Sequence, residues 1–356
     1  MIRIFDLSEA RETILRRKIF GTEIRAALRA SLRRVFDADL SPEDAVRKIL
    51  DDVRAHGDDA VRAWTQKIDG VALDSFDAPR AEWRAAYERL DADLQNSLRV
   101  AAERIRAFHA RQPLPQWTTN DLGGTVGQKI SPLDRVGVYV PGGATPLPSS
   151  LLMAAIPARV AGVKEIIVAT PPRKSDGASP DVILAAAHLA EVDAVYRVGG
   201  AQAIAAMAFG TKNIPRVDKI VGPGGLFVTL AKKQLYGQVG LDGLAGPTET
   251  MIVADYSANP VWIAADLLAQ AEHDILATAI LVTPSRALAI KVQSQIAAQI
   301  ETRARAEIIA AALEGQSGIV IAPHIDAALQ IAEEFAPEHL CLSLRDAEQY
   351  ASRVRH

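Results

Sequence analysis

The sequence predicts an α/β protein of two lobes, each a parallel sheet flanked by helices, preceded by a set of N-terminal helices. Three observations predict it. From Arg135 onward, short β-branched runs alternate with glycine turns and alanine-rich helical stretches, the texture of parallel α/β architecture. A second alternation of the same kind begins at Leu241. The chain has 356 residues, which at ~150 residues per domain is roughly 2.4 domains, room for two compact lobes.

The first stretch, up to the Gln112-Pro113-Leu114-Pro115 break, reads as helices joined by short loops. Its clearest helix opens at Ser41-Pro42-Glu43-Asp44, with an N-cap hydroxyl, proline at the first helical position and a carboxylate three residues on. Val46, Ile49, Leu50 and Val53 follow at helical spacing until Gly57 ends it. Three strand-and-glycine units come next: Arg135 to Val140 before Pro141-Gly142-Gly143, Ala194 to Val198 before Gly199-Gly200, and Lys219 to Val221 before Gly222-Pro223-Gly224-Gly225. Helices open after the last two, at Ala201 and near Leu226, and a further strand, Ile166 to Ala169, lies between the first and second. Glycine at a strand end lets backbone approach a ligand, and the N–H groups at the start of the next helix favour an anion there.

The second alternation runs Met251 to Ala254 as strand, Val261 to Ala271 as helix, Ala279 to Thr283 as strand, Leu288 to Ile300 as helix and Gly318 to Ala322 as strand. Residues 1–130 together with 240–356 are expected to form one lobe, and 131–239 the other. No linker rich in Pro, Gly and Ser separates them, so a shared cleft is expected.

Composition narrows the function. Forty basic side chains against 43 acidic ones give a net charge of −3 with no long run of like charge, which argues against nucleic acid as a partner. A small neutral or zwitterionic partner fits better. The lone cysteine, Cys341, excludes an internal disulfide and a cysteine-rich zinc site. Neither a signal peptide nor a membrane span is legible: the N-terminus turns charged at Arg3 and Asp6, and the most apolar stretch, Leu151 to Val163, is broken by Pro157 and Arg159. A cytoplasmic protein without membrane contact is therefore expected.

The strict dinucleotide fingerprint G-x-G-x-x-G is absent, so the glycine turns by themselves fit a nucleotide site or ordinary tight turns equally. Gln202 sits where a helix starts and can reach a nucleotide's polar edge or cap its own helix. Of seven histidines, His56, His109 and His188 lie in charged or alanine-rich helical sequence and read as structural. His273 differs, because three-residue spacing puts it on one helix face with Gln270, the geometry for two ligands to meet one ion. Such spacing also arises by chance, and Gln is an unusual zinc ligand. The doublet Glu338-His339, between Pro337 and Leu340, can divide base and acid work or sit idle in a loop.

Five segments taken together resemble the histidinol dehydrogenase family: Arg135 to Gly143, Tyr196 to Ala206, Val217 to Gly224, Asp266 to Asp274 and Ala336 to Leu340. They follow in family order over nearly the whole chain. The resemblance implies two Rossmann-like lobes, a homodimer, and oxidation of L-histidinol through L-histidinal to L-histidine with two NAD+ in succession and a zinc ion holding the substrate. By matching motif, Glu338 is the base that activates water and His339 the group that exchanges protons with the substrate oxygen. Gln270 and His273 match zinc ligands that also contact the substrate, and Thr248 stands where a substrate-contacting Ser is usual. Tyr139 and Gln202 match NAD-contacting positions in the 131–239 lobe, with substrate, metal and catalytic residues in the other.

Gly225 stands where the family generally has an NAD-contacting Asn, which implies weaker NAD affinity, and Phe227 lies near a usual Tyr. Cys341 replaces a commonly polar residue and reads as a small buried hydrophobe. Family chains continue past the Pro-Glu-His-Leu segment into a region that supplies an Asp and a His to zinc and a tail for the partner subunit. This sequence ends at His356. With two matching ligands where zinc takes about four, weak zinc binding by this chain alone is expected, with apolar surface uncovered where the tail would lie. A zinc-independent dehydrogenase of another polar alcohol and a catalytically silent binding protein on the same scaffold are the alternatives.

Overall fold

The computed structural model describes residues 2–17, 26–142 and 146–356. Its strands are β1 (Ile4–Asp6), β2 (Trp117–Thr119), β3 (Val126–Gln128), β4 (Arg135–Tyr139), β5 (Glu165–Ala169), β6 (Ala194–Tyr196), β7 (Lys219–Val221), β8 (Gly240–Leu241), β9 (Glu249–Ala254), β10 (Thr278–Thr283), β11 (Gly318–Ile321) and β12 (His339–Ser343). The chain divides into two compact units, one of residues 1–23 with 246–356 and one of residues 24–245.

In the second unit five strands pair in parallel in the order β6-β5-β4-β7-β8. Succession runs outward from β4 through β5 to β6, then returns to β7 on the other side. The strand order therefore reverses between β4 and β7, and in open parallel sheets ligands bind in the crevice beyond the carboxyl ends at such a point. The strands are continuous apolar runs because helices cover both faces. On one face Ile167, Ala169 and Ile220 join a core with Ile204 and Met207, and on the other Val136, Val138, Ile166 and Val168 pack with Leu152, Ile156, Ile183 and Ala186. β2 and β3 form a separate antiparallel hairpin.

The boundaries expected from the sequence differ from this division, because the N-terminal helices cover the second unit's sheet. Helix Pro42–His56, opened as expected by Ser41 Oγ accepting from the Asp44 N–H at 3.1 Å, buries Val46, Ile49, Leu50 and Val53 in the core that contains Ile204 and Met207. Trp83 and Ala86 of helix Arg80–Arg89 join the opposite core with Ile183 and Leu184. An amphipathic stripe announces that a helix is buried, not against which sheet.

The first unit holds a parallel sheet ordered β1-β11-β10-β9-β12. Helix Pro260–Ala271 is the crossover from β9 to β10, and helix Ile325–Phe335 precedes β12. Met251, Val253, Ile280, Val282 and Val320 pack on one face with Leu329, Ile331 and Phe335, and Ile252, Leu281 and Ile319 on the other with Leu267, Leu268 and Val292. Among the described residues, no helix is long and apolar enough to cross a membrane.

Candidate active site and dinucleotide crevice

A chain of contacts in the first unit joins four of the expected site residues. Thr248 immediately precedes β9, and Gln270 lies at the end of the crossover helix that returns the chain toward the amino ends of the strands. Gln270 Nε2 donates to Thr248 Oγ1 at 2.8 Å. That commits the amide nitrogen and leaves Oε1, the atom able to ligate a metal, pointing away from the threonine. Next in sequence, the Glu249 N–H donates to Glu338 Oε2 at 3.3 Å, and His339 Nε2 lies 3.8 Å from the same oxygen. His339 opens β12 in register with Thr250. The cluster therefore sits on the amino-terminal edge of a parallel sheet, opposite the edge where such sheets usually bind ligands.

Glu338 and His339 are both exposed, with side chains 52% and 62% accessible, so solvent water reaches the carboxylate. His273 is exposed just beyond the crossover helix, its backbone N–H donating to the Gln270 carbonyl at 3.2 Å. Among the described residues no group of three or more His, Cys, Asp and Glu is arranged as a metal set. His273 offers an imidazole nitrogen of the kind zinc takes, and Gln270 Oε1 an amide oxygen, a less usual donor. Cys341 is half-buried in β12 against the core, and burial raises its thiol pKa.

Arg17 carries no sequence signal of its place in this cluster. Its Nη2 donates to Glu249 Oε2 at 2.7 Å and to the Ala336 carbonyl at 2.6 Å, its Nε donates to the Phe335 carbonyl at 3.0 Å, and its guanidinium lies over the Phe335 ring at 4.9 Å. Ala336 ends helix Ile325–Phe335 in the left-handed region, φ 49° and ψ 66°. Arg17 thus clamps a strained helix end, whose carbonyls need donors, two residues before Glu338. A lone arginine more than 300 positions away in sequence carries no pattern that could reveal it.

The second unit places the remaining expected residues at the carboxyl ends of its strands. Tyr139 ends β4, Gly199-Gly200 opens helix Gly200–Phe209, and Gly222 to Gly225 lead from β7 into helix Leu226–Leu235. Gly143 of the first glycine turn lies outside the described residues. Tyr139 is buried and its hydroxyl oxygen accepts the Gly200 N–H at 3.1 Å; burial pushes its pKa up to about 12, so it stays neutral. Gly222 has φ 113°, and a Cβ there would overlap the Tyr139 carbonyl oxygen, so only glycine allows β7 and β4 to approach this closely at the crevice. The turn is tied by Lys232, 4% exposed, whose Nζ donates to the Gly222 carbonyl at 2.5 Å and to Asp242 Oδ1 at 2.8 Å, while Asp242 Oδ2 accepts the Gly222 N–H at 2.7 Å.

Gln202 is fully buried and does not cap its helix. Its Nε2 donates to Asp69 Oδ2 at 3.4 Å, and its Oε1 has no partner among the described residues. Helix Leu226–Leu235 likewise has no side-chain cap at Gly225, and a side-chain atom at Gly225 would meet nothing within 4 Å among the described residues. A buried, unpartnered acceptor, an uncapped helix start and open space beside it at a strand-order reversal fit a dinucleotide.

The sequence model of the family described as histidinol dehydrogenase matches residues 33–356. The histidinol dehydrogenase of Thermus thermophilus is 47% identical over 324 residues, 91% of this chain and 77% of that one. That of Dehalococcoides mccartyi is 46% identical over 356 residues, 100% of this chain and 80% of that one. The crystal structure of histidinol dehydrogenase from Elizabethkingia anophelis superposes with a TM-score of 0.89 at 31% identity, over 99% of this chain and 78% of that one.

Proposed function

The chain belongs to the histidinol dehydrogenase family, and on that premise we propose that it oxidises L-histidinol through L-histidinal to L-histidine with NAD+ as electron acceptor. The observation that carries the assignment of roles is the contact chain Gln270–Thr248–Glu249–Glu338–His339, which gathers three distant segments on one sheet edge. A nicotinamide cofactor held at the crevice of the second unit would supply the hydride acceptor. Tyr139, Gln202 and the turn ending at Gly225 are the residues proposed to hold it.

In the first oxidation a hydride leaves the carbinol carbon with its electron pair while the hydroxyl proton departs, and the C–O bond becomes C=O. His339 takes that proton; its imidazole is exposed at the sheet edge and free to exchange it with solvent. In the second, Glu338 removes a proton from water as the water oxygen bonds the aldehyde carbon, and His339 returns a proton to the former carbonyl oxygen, giving the hydrate. Loss of a second hydride and a hydroxyl proton from the hydrate yields the carboxylic acid. The Glu249 N–H engages Oε2 of Glu338, which leaves Oε1 available to the water.

Thr248 Oγ1 accepts from Gln270, so its own hydrogen can donate to the substrate. Gln270 and His273 would hold zinc, with the substrate's amine and imidazole nitrogens as further ligands; the ion would orient the substrate and draw electron density from it. A homodimer is proposed from the family resemblance. The test is NADH formation from NAD+ with L-histidinol, with zinc supplied, beside other polar amino alcohols. Turnover confined to the latter would replace this substrate with another.

A further inference from the structure

We infer that Asp69 is a positioning residue of the dinucleotide site, holding the Gln202 amide nitrogen so that its oxygen faces the Gly199-Gly200 turn and accepts a hydrogen bond from an N–H or O–H donor of the bound dinucleotide. The inference rests on the proposed placement of the cofactor in the second unit.

Three observations support it. An ionised carboxylate only accepts hydrogen bonds, so the Gln202 group 3.4 Å from Asp69 Oδ2 must be the NH2, and Oε1 is turned away. The direction in which it turns is recorded by Gly200, which has φ 60° and where a Cβ would lie 2.7 Å from Oε1. Oε1 therefore looks at the turn that the Tyr139 hydroxyl also engages, through the Gly200 N–H at 3.1 Å. Finally, Oε1 is buried without a partner among the described residues, a condition that costs stability unless a ligand supplies a donor.

Asp69 is itself placed at a cost to the fold. It is the last residue of helix Asp58–Asp69, the end where the helix dipole disfavours a negative charge, and burial pushes its pKa up to about 6. Lys174 and Tyr139 are the charged and titratable groups that interact with it, and Lys174 only partly offsets the burial. A carboxylate kept in such surroundings is more economically explained by a site than by the stability of the core.

The experiment is calorimetric titration of NAD+ into the full chain, with no substrate and no turnover, alongside thermal melts. Asp69→Leu removes the acceptor at similar volume and frees the amide to reorient; the dissociation constant should rise about tenfold. Asp69→Asn keeps an acceptor oxygen and should restore affinity to within about threefold of wild type. Neither substitution should lower the melting temperature, whereas a purely structural aspartate would show its loss there. Gln202→Leu should weaken binding as Asp69→Leu does, and the double variant should add nothing. Wild-type affinity in Asp69→Leu, or additive losses in the double variant, would overturn the inference. Weakened binding in Gln202→Leu with none in Asp69→Leu would overturn it while leaving the cofactor site standing. No NAD+ binding by the wild-type chain would remove the site and the inference together.

Discussion

The Glu249 N–H donates to Glu338 Oε2 at 3.3 Å, so the backbone at the start of β9 orients the carboxylate that stands just before β12. The same residue's side chain accepts Arg17, and its neighbour Thr248 accepts Gln270. The proposed acid-base pair, substrate contact and metal donor thus share two consecutive residues as their anchor. A shift at the mouth of β9 would move all of them at once.

Replacing the carboxylate separates the two oxidations. Glu338→Gln keeps the acceptor for the Glu249 N–H but cannot take a proton from water. The second oxidation should slow by about 10²- to 10⁴-fold, with L-histidinal accumulating when trapped by a carbonyl reagent. His339→Asn should slow both steps. Unchanged acid formation in Glu338→Gln, followed by product chromatography, would assign the base elsewhere.

Arg17 should matter more to rate than to stability. Its side chain is 51% accessible, so the Glu249 ion pair contributes little in water, but Arg17→Met leaves the Phe335 and Ala336 carbonyls without their donor. Denaturant unfolding should show a loss of about 1–2 kcal/mol, while kcat falls tenfold or more (~1.4 kcal/mol per tenfold) because Glu338 loses its fixed approach. Arg17→Lys keeps the charge without the fork and should recover only part of the rate.

The buried Lys232 is the converse case. Lys232→Met removes the cation from Asp242 and the donor from the Gly222 carbonyl. Asp242 is partly accessible and can rehydrate, so the variant should lose about 3 kcal/mol of stability, the low end for a broken buried pair. NAD+ affinity should fall with it, since the Gly222 turn loses a tie. A melting temperature equal to wild type would contradict the buried geometry.

Open space at Gly225 permits a gain of function. A Cβ there meets nothing within 4 Å among the described residues, and the residue's φ of −72° suits any amino acid. Gly225→Asn should tighten NAD+ binding by several-fold, about one neutral hydrogen bond, read by titration with NAD+. Unaltered or weaker affinity would place the cofactor away from this turn.

Asp69 gives the pH dependence its sign. Its pKa in the fold, about 6, lies above the ordinary carboxylate value, so the folded chain binds the proton more readily than the unfolded one. Its ionisation therefore penalises folding at neutral pH, and that penalty disappears as pH falls through about 6 toward the unfolded value. Affinity for NAD+ moves the opposite way: a protonated Asp69 can donate to Gln202 Oε1 and reverse the amide. NAD+ titrations at pH 7.5 and 5.5 should show weaker binding at the lower pH in wild type and a flatter response in Asp69→Asn.

Much of the fold was legible because buried parallel strands are written as unbroken apolar runs. Glu249–Ala254, Thr278–Thr283 and Gly318–Ile321 fall within two residues of where their β-branched runs place them. β12 escaped because it opens on the exposed His339 and mixes Cys341 and Ser343 into a short run. The membership of helices Pro42–His56 and Arg80–Arg89 in the second unit was illegible for a different reason, since periodicity names the buried face and not its partner. In the site, Gln270 and Thr248 were recognised as motif residues, but their mutual hydrogen bond was not, and Arg17 and Asp69 carry meaning only through contacts more than 100 residues away in sequence.

A four-electron oxidation by this chain would be read from the yield of NADH per L-histidinol consumed, at limiting substrate with NAD+ in excess and zinc present. Two NADH with L-histidine as the product is the expected result. One NADH with the aldehyde as product would contradict the role given to Glu338, and no NADH from L-histidinol would contradict the assigned reaction.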